Sequence, residues 1–269
     1  MTSHAMPTPQ GSASGEPPAG LDSSVGKALA LLDALAGPRP SMGVSDLADV
    51  AGMPKSTAHR LLMVLISGGY VRRVAGKYAL SSRVFEVGSQ SELSRVNGLT
   101  NQAMPYMAEL FAQTHETIHL AVRRGTDVLY VEKLFGHQSI RIPTFVGARH
   151  PAYASALGKA MLAFSPQEDA RLGLPARYRR LTAYTICTPD AMQRSLRRVG
   201  EERCATDHEE SFLGVWCIAV PILDRRTHHA VAAFSLTTGV GNGAIQRYRK
   251  LLMRAGEELS SALYVPAAA

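Results

Sequence analysis

The stretch Val44–Leu62, VSDLADVAGMPKSTAHRLL, reads as two short helices joined by a tight turn. Ser45 is a candidate N-cap for the first, which runs through Leu47, Ala48 and Ala51. Gly52 supplies the turn. Pro54 suits the first position of the second helix, where a backbone N–H has no partner to lose. Within 54–66, Ala58, Leu61, Leu62, Leu65 and Ile66 share one stripe at helical spacing. Ser56, His59, Arg60 and Met63 fall on the opposite face, with Lys55 and Thr57 beside it near the N-terminal end. One face is expected to bury within the module, leaving the other free for a major groove.

The flanks extend the pattern. Val25, Leu29, Leu32 and Leu35 or Ala36 follow helical spacing behind a cap at Ser23 or Ser24, and Gly37-Pro38-Arg39-Pro40 ends that helix. After Gly68-Gly69 come two short strand patterns, Tyr70–Val74 and Lys77–Leu80, joined around Ala75-Gly76. Such a hairpin is a wing, with Arg72, Arg73 and Lys77 placed to meet phosphates. Between Val50 and Phe85 there is no Asp or Glu, yet Lys55, Arg60, Arg72, Arg73, Lys77 and Arg83 all occur. Residues 21–85 hold eight Lys/Arg against four Asp/Glu, whereas 86–269 hold 21 against 17 over almost three times the length. A face with cations and no carboxylates attracts a phosphate backbone without self-repulsion, so double-stranded DNA is the expected partner. The alternative is a small interaction module with a solvated charged edge.

The whole chain has 269 residues, 46% apolar and 19% charged, enough for a globular protein of two domains. No uncharged apolar run reaches the roughly 18 residues of a membrane helix. The N-terminus lacks a basic flank before an apolar stretch, so no secretory signal is expected. Cys187, Cys204 and Cys217 are odd in number and lack metal-ligand spacing, so neither a disulfide framework nor a metal is expected, and the cytoplasm is the default compartment. No cofactor is implied. Residues 1–20, with four Pro and three Gly, are expected to be a disordered tail. The division expected is a DNA-binding domain over 21–83, a linker helix over 84–100 and a further domain over 101–266. In that last part Pro105 should start or kink a helix. Ile118, Leu120 and Val122 alternate as a strand, Val128–Leu134 follows a turn, and Trp216–Leu223 and Ala230–Thr237 read as later strands. Helix starts are expected at Ser165-Pro166-Gln167-Glu168, a capping box, and at Thr188-Pro189-Asp190, with a closing helix from about Ala244 to Leu263. An antiparallel sheet packed with helices is an α+β domain.

Val44–Leu62 followed by SGGYV resembles the winged helix-turn-helix of IclR-type bacterial transcriptional regulators, as do Ser24–Leu32 and Lys77-Tyr78-Ala79-Leu80. Ala154–Ala163, ASALGKAMLA, is similar to the helix by which that family enters its effector pocket. Asp207-His208-Glu209-Glu210, Gly214 and Cys217–Ile222 are similar to its later signature. Where the family commonly has Gly-Tyr, this chain has Arg203-Cys204, which puts the start of the next strand, and the pocket beneath it, in question. The resemblance implies a GAF-like effector domain and a ligand-responsive regulator. It also implies a homodimer formed through the N-terminal module and linker helix, or a tetramer. One winged helix reads only a few base pairs, so two copies on a roughly palindromic operator are expected.

By the same resemblance, effector contacts fall on Ser155, Ala156, Asp207, Cys217, Ser235 and Thr237. Ser155-Ala156 open a helix, whose free N–H groups attract a carboxylate. Asp207 repels an anion unless the ligand also brings a hydroxyl donor, which favours small hydroxylated or aromatic carboxylic acids. The plainer alternative has Ser235 and Thr237 bonding locally, Asp207 capping a turn and Cys217 filling core.

Enzyme signals are weak. His115-Glu116-Thr117-Ile118-His119 matches the H-E-x-x-H zinc pattern letter for letter, but the second His lies in an alternating strand. Strand residues four apart lie roughly 13 Å from one another, too far to share a metal. Gly158-Lys159 lacks the rest of a phosphate-binding loop, Gly239–Gly243 fails dinucleotide-binding spacing, and His228-His229 reads as a solvated turn. Two other classes stay open: a DNA-binding or docking protein without a pocket, and a metallohydrolase with a DNA-binding module.

Overall fold

The computed structural model describes residues 23–91, 98–136, 142–241 and 243–263. The tail expected over 1–20 lies outside them. The chain divides into two units between Gln90 and Ser91.

The first unit contains α1 (Ser24–Leu35), α2 (Val44–Val50), α3 (Lys55–Ser67), β1 (Val71–Val74), β2 (Lys77–Leu80) and α4 (Ser82–Gly88). Its core joins Leu31 and Leu35 of α1, Leu47 of α2, Leu62 and Leu65 of α3, and Val71 and Tyr78 of the hairpin. The expected α3 stripe is the buried one, apart from a half-buried Ile66. Ala75 and Gly76 have φ of 47° and 78°, the two positive values that a two-residue hairpin turn needs to match strand twist.

Three local expectations are corrected. Helix α1 carries two adjacent apolar stripes, and Leu31 and Leu35 bury while Val25 and Leu29 stay 70% and 54% exposed. Gly43, not Ser45, is the N-cap of α2, so Ser45 lies inside the helix. Pro54 is the N-cap of α3 rather than its first residue. Of the linker helix expected over 84–100, Val84–Gly88 belong to α4, Ser89–Ser91 are a turn and bend, and 92–97 lie outside the described residues.

The second unit opens with α5 (Leu99–Thr114), which contains Pro105 in its interior and ends at His115 in the left-handed region. There follow β3 (Thr117–Arg124), β4 (Asp127–Leu134), β5 (Arg149–Pro151), a 3-10 turn (Ala152–Ala154), α6 (Ala156–Ala163), α7 (Gln167–Leu172) and α8 (Pro189–Glu202). The unit closes with β6 (Ala205–His208), β7 (Val215–Leu223), β8 (Ala230–Gly239) and α9 (Ala244–Ala262). All strands join one antiparallel sheet in the order β5-β4-β3-β8-β7-β6. This is the expected α+β class. Thr188 caps α8 as its sequence foretells, but the capping box at α7 does not form: Pro166, not Ser165, is the N-cap, and no side chain caps the helix.

Period-two alternation divides the sheet into two unlike faces. Ile118, Leu120 and Val122 of β3, Ile218, Val220 and Ile222 of β7, and Phe234 and Leu236 of β8 pack against α5 and α9. The intervening residues are small: Ala121, Ala219 and Ala233 meet α6, which lies between the sheet and α8. Strand β3 is therefore buried on both faces, not half-solvated as simple alternation suggests.

Arg203 caps α8 at φ 53°, a left-handed position that the family's glycine fills without steric cost. The following Cys204 packs in the α5–α9 core. Cys204 thus lies on the side of the sheet away from α6, whereas the Arg203 guanidinium stands 5.5 Å from the centre of the Phe164 ring at the end of α6.

Small side chains also let α6 approach its own lead-in turn. A Cβ built on Gly158 would sit 2.1 Å from the Ala152 carbonyl oxygen, while one on Gly200, in α8, meets nothing within 4 Å. Gly158→Ala is expected to cost about 1–3 kcal/mol through forced backbone displacement. Gly200→Ala should be neutral or stabilise by up to about 1 kcal/mol. Urea denaturation of both variants against the parent chain checks the contrast.

Candidate functional site

The first unit presents two exposed basic elements. Lys55, Ser56, His59 and Arg60 stand exposed on α3, and Thr57 is half-buried beside them. No side chain caps α3 and no acid lies in its first turn, so its opening amides stay available to a phosphate. In the wing, antiparallel register sets Arg73 opposite Tyr78, Arg72 opposite Ala79 and Lys77 opposite Val74. Neighbouring strand residues point to opposite faces, so Arg72 and Lys77 share one face and Arg73 takes the other. The Arg73 guanidinium lies 3.2 Å from the Tyr78 hydroxyl and 3.7 Å from the Met63 sulfur, which ties the wing to the exposed face of α3.

In the second unit the same alternation builds a cavity. One row across the sheet runs Lys133, His119, Ser235, Ala219 and Ala205; the next runs Thr117, Thr237, Cys217 and Asp207. His119, Ser235, Thr237, Cys217 and Asp207 of these rows, closed over by the start of α6 and the 207–215 segment, line a narrow cavity. Ser155, Ala156, Asp207, Cys217, Ser235 and Thr237 all lie on its wall.

The wall residues also bond to one another. Ser155 Oγ caps α6 by accepting from the Gly158 amide at 3.0 Å. Asp207 Oδ1 accepts from the amides of Glu210 at 2.7 Å and Ser211 at 3.3 Å. Cys217 Sγ and Thr237 Oγ1 are 3.2 Å apart. The capping and packing roles of the plainer alternative are therefore present, and they coincide with a shared cavity. Beneath it Lys159 pairs with Glu210, both buried. Burial raises the pKa of both Asp207 and Glu210, and the Lys159 ammonium opposes the rise.

Sequence reasoning missed His119, Tyr130, Thr144 and Ser211 of the same wall. His119 is fully buried, with Nε2 2.9 Å from Thr144 Oγ1 and Nδ1 3.4 Å from Ser235 Oγ. Burial first, and the Lys133 ammonium second, push its pKa from the ordinary 6.5 down to about 3. His115 instead ends α5 and packs edge-on against Phe111. The H-E-x-x-H letters thus place their two imidazoles in unrelated settings.

A winged helix with a basic exposed face defines a DNA-binding protein, and comparison with known proteins places it more closely. The IclR helix-turn-helix domain matches residues 24–75, and the bacterial transcriptional regulator IclR C-terminal region matches 69–261. The HTH-type transcriptional regulator XynR of Escherichia coli (strain K12) is 30% identical over 249 residues, covering 91% of this chain and 98% of XynR. The crystal structure of the Thermotoga maritima IclR covers 89% of this chain and 98% of its own, with a TM-score of 0.72 at 28% identity. An IclR homolog from Microbacterium hydrocarbonoxydans, complexed with 4-hydroxybenzoate, covers 90% and 99% with a TM-score of 0.77 at 26% identity. The chain belongs to the IclR family of DNA-binding bacterial transcriptional regulators. The matched families and relatives are regulators, not enzymes.

Two imidazoles, His119 buried and His150 half-buried, give the fold a definite response to acid. Burial lowers the pKa of His150 to about 4, as it lowers that of His119 to about 3. Both lie below the ordinary 6.5, so below about pH 6.5 the unfolded chain takes up protons that the fold refuses. Their contribution is complete above that pH and is lost as pH falls toward 4. Replacing His119 or His150 with Gln should make the loss of stability between pH 7 and 4.5 shallower by about 2 kcal/mol each. Denaturation curves at the two pH values measure the difference.

Proposed function

We propose that this regulator binds a roughly palindromic operator as a homodimer, and that a small carboxylic acid in the second unit's cavity sets its affinity or activity. The observation that carries the effector reading is convergence. Residues from four separated segments, at 155–156, 207, 217 and 235–237, meet on one wall. Asp207 supplies an acceptor for a ligand hydroxyl, while Ser235 and the opening amides of α6 supply donors for a carboxylate. The 4-hydroxybenzoate bound to the Microbacterium homolog has this chemistry.

The DNA reading assigns α3 to the major groove, with Lys55, Ser56, Thr57, His59 and Arg60 near bases and phosphates. Arg72, Arg73 and Lys77 hold the wing to the backbone. Dimerisation has support in exposed apolar side chains of the first unit: Val25 and Leu29 on α1, and Phe85 and Val87 on α4, of which Phe85 is 78% exposed. Such faces on helices are candidates for burial against a second copy. Tetramers would add a second contact. The cytoplasm is the compartment proposed, and among the described residues no helix is long and apolar enough to cross a membrane.

Arg73→Ala should weaken operator and non-operator DNA alike and lower the salt slope by about one unit. Arg60→Ala should lose discrimination between operator and mismatched sites by about 1–3 kcal/mol. Unchanged binding in both at physiological salt refutes the interface. Asp207→Ala and Ser235→Ala should abolish the effector response and leave unliganded operator binding intact; a full response in both, with the fold confirmed, moves the pocket elsewhere. Light scattering should report a dimer free and DNA-bound, and a monomer in both states contradicts the assembly.

A further inference from the structure

Lys133 is a buried cation. Among the described residues it has no carboxylate partner; its ammonium instead donates to the Thr144 carbonyl at 2.7 Å and to Thr144 Oγ1 at 3.0 Å, and lies 4.5 Å from the centre of the Phe135 ring. The ammonium can only donate, so Thr144 Oγ1 accepts from it. The acceptor within reach of the Thr144 hydroxyl proton is then His119 Nε2, at 2.9 Å. With Nε2 accepting, a neutral His119 carries its proton on Nδ1 and gives it to Ser235 Oγ at 3.4 Å. The reverse orientation would leave the Thr144 hydroxyl proton buried without an acceptor. Each hydrogen bond therefore fixes the polarity of the next, and the Ser235 hydroxyl is left to donate into the cavity.

From this geometry we infer that Lys133, Thr144 and His119 are positioning residues that direct the Ser235 hydroxyl proton into the cavity, so that the effector end seated there is an acceptor oxygen, and that the buried Lys133 charge makes that oxygen a carboxylate. The ligand is then two-ended. Its carboxylate lies toward β3 and β8, and its hydroxyl donor toward Asp207 on β6. Ser235 and Asp207 stand two strand spacings and two residues apart, roughly 12 Å between backbones, a span that a para-substituted ring with a hydrogen bond at each end fills. The reversed ligand would set its carboxylate against Asp207, carboxylate facing carboxylate. An amine at the Ser235 end would face the buried Lys133 cation. This inference rests on the effector reading above, but the relay is tested without any ligand.

The first arm is nitrogen-15 NMR of the histidine rings of the full chain. The His119 signals are identified by their loss in His119→Gln, or by their shift in Lys133→Met should the former not fold. A neutral ring protonated on Nδ1 is expected; an Nε2-protonated ring or an imidazolium overturns the relay. The second arm compares benzoate, 4-hydroxybenzoate and lactate with their primary amides and with benzylamine, by calorimetry on the full chain. The acid of a binding pair should be preferred by about tenfold or more, and Lys133→Met should erase most of that preference while weakening the amide little. Lys133→Gln, which keeps a donor to Thr144 without the charge, should behave as Lys133→Met does. Equal losses for acid and amide, or preference for the amine, overturn the charge compensation. The expected tautomer with none of the acids bound overturns the ligand class and leaves the relay as structure alone.

Discussion

Everything in the second unit depends on a six-stranded sheet being covered on both faces by unlike layers. An antiparallel strand sends alternate side chains to opposite sides, so one register decides both what the core contains and what the cavity contains. On the α5–α9 side the central strands present branched aliphatics and Phe234, which bury densely. On the α6 side they present Ala121, Ala219 and Ala233, small enough for a helix to lie close, and then a polar patch where the helix begins. A one-residue slip in β8 would put Leu236 into the cavity and Ser235 into the core, exchanging the two functions at once.

The polar patch has a cost that the fold offsets locally. Asp207 and Glu210 are carboxylates held away from water, and one buried ammonium, Lys159, faces both. Backbone amides close over Asp207 Oδ1, and the hydroxyls of Thr182 and Thr185 take up the carbonyls of Glu209 and Glu210. Replacing such an arrangement with apolar side chains is often neutral or stabilising, so its presence in a core asks for a reason outside stability. A ligand whose polar ends complete the hydrogen bonds supplies one.

How much of this is legible in sequence follows from how local each signal is. Helix α3 has one apolar stripe and one basic face, so its buried and exposed sides read off directly. Helix α1 has two adjacent apolar stripes, and nothing within twelve residues tells Leu31 from Leu29; packing against α2 and α3 decides it. Ser165 matches a capping pattern, but the chain enters α7 one residue later, with Pro166 at the N-cap. Six cavity residues are readable only through likeness to a family. His119, Tyr130, Thr144 and Ser211 join them through pairings between strands and loops far apart in the chain, which no local pattern carries. His119 even sits inside a misleading zinc motif, and only its register opposite Ser235 shows its company.

The central claim is that the polar wall exists for a ligand and not for the fold. The most direct measurement is the thermal unfolding of a chain in which Cys217→Ala and Thr237→Val are combined, so that both partners of the Cys217–Thr237 contact become apolar together. If the wall serves a ligand, the midpoint should stay level or rise, because hydrogen-bonded groups are replaced in pairs by apolar ones of similar shape. A fall of more than about 5 °C, on the order of 2 kcal/mol for a unit of this size, would show the wall to be structural and contradict the account.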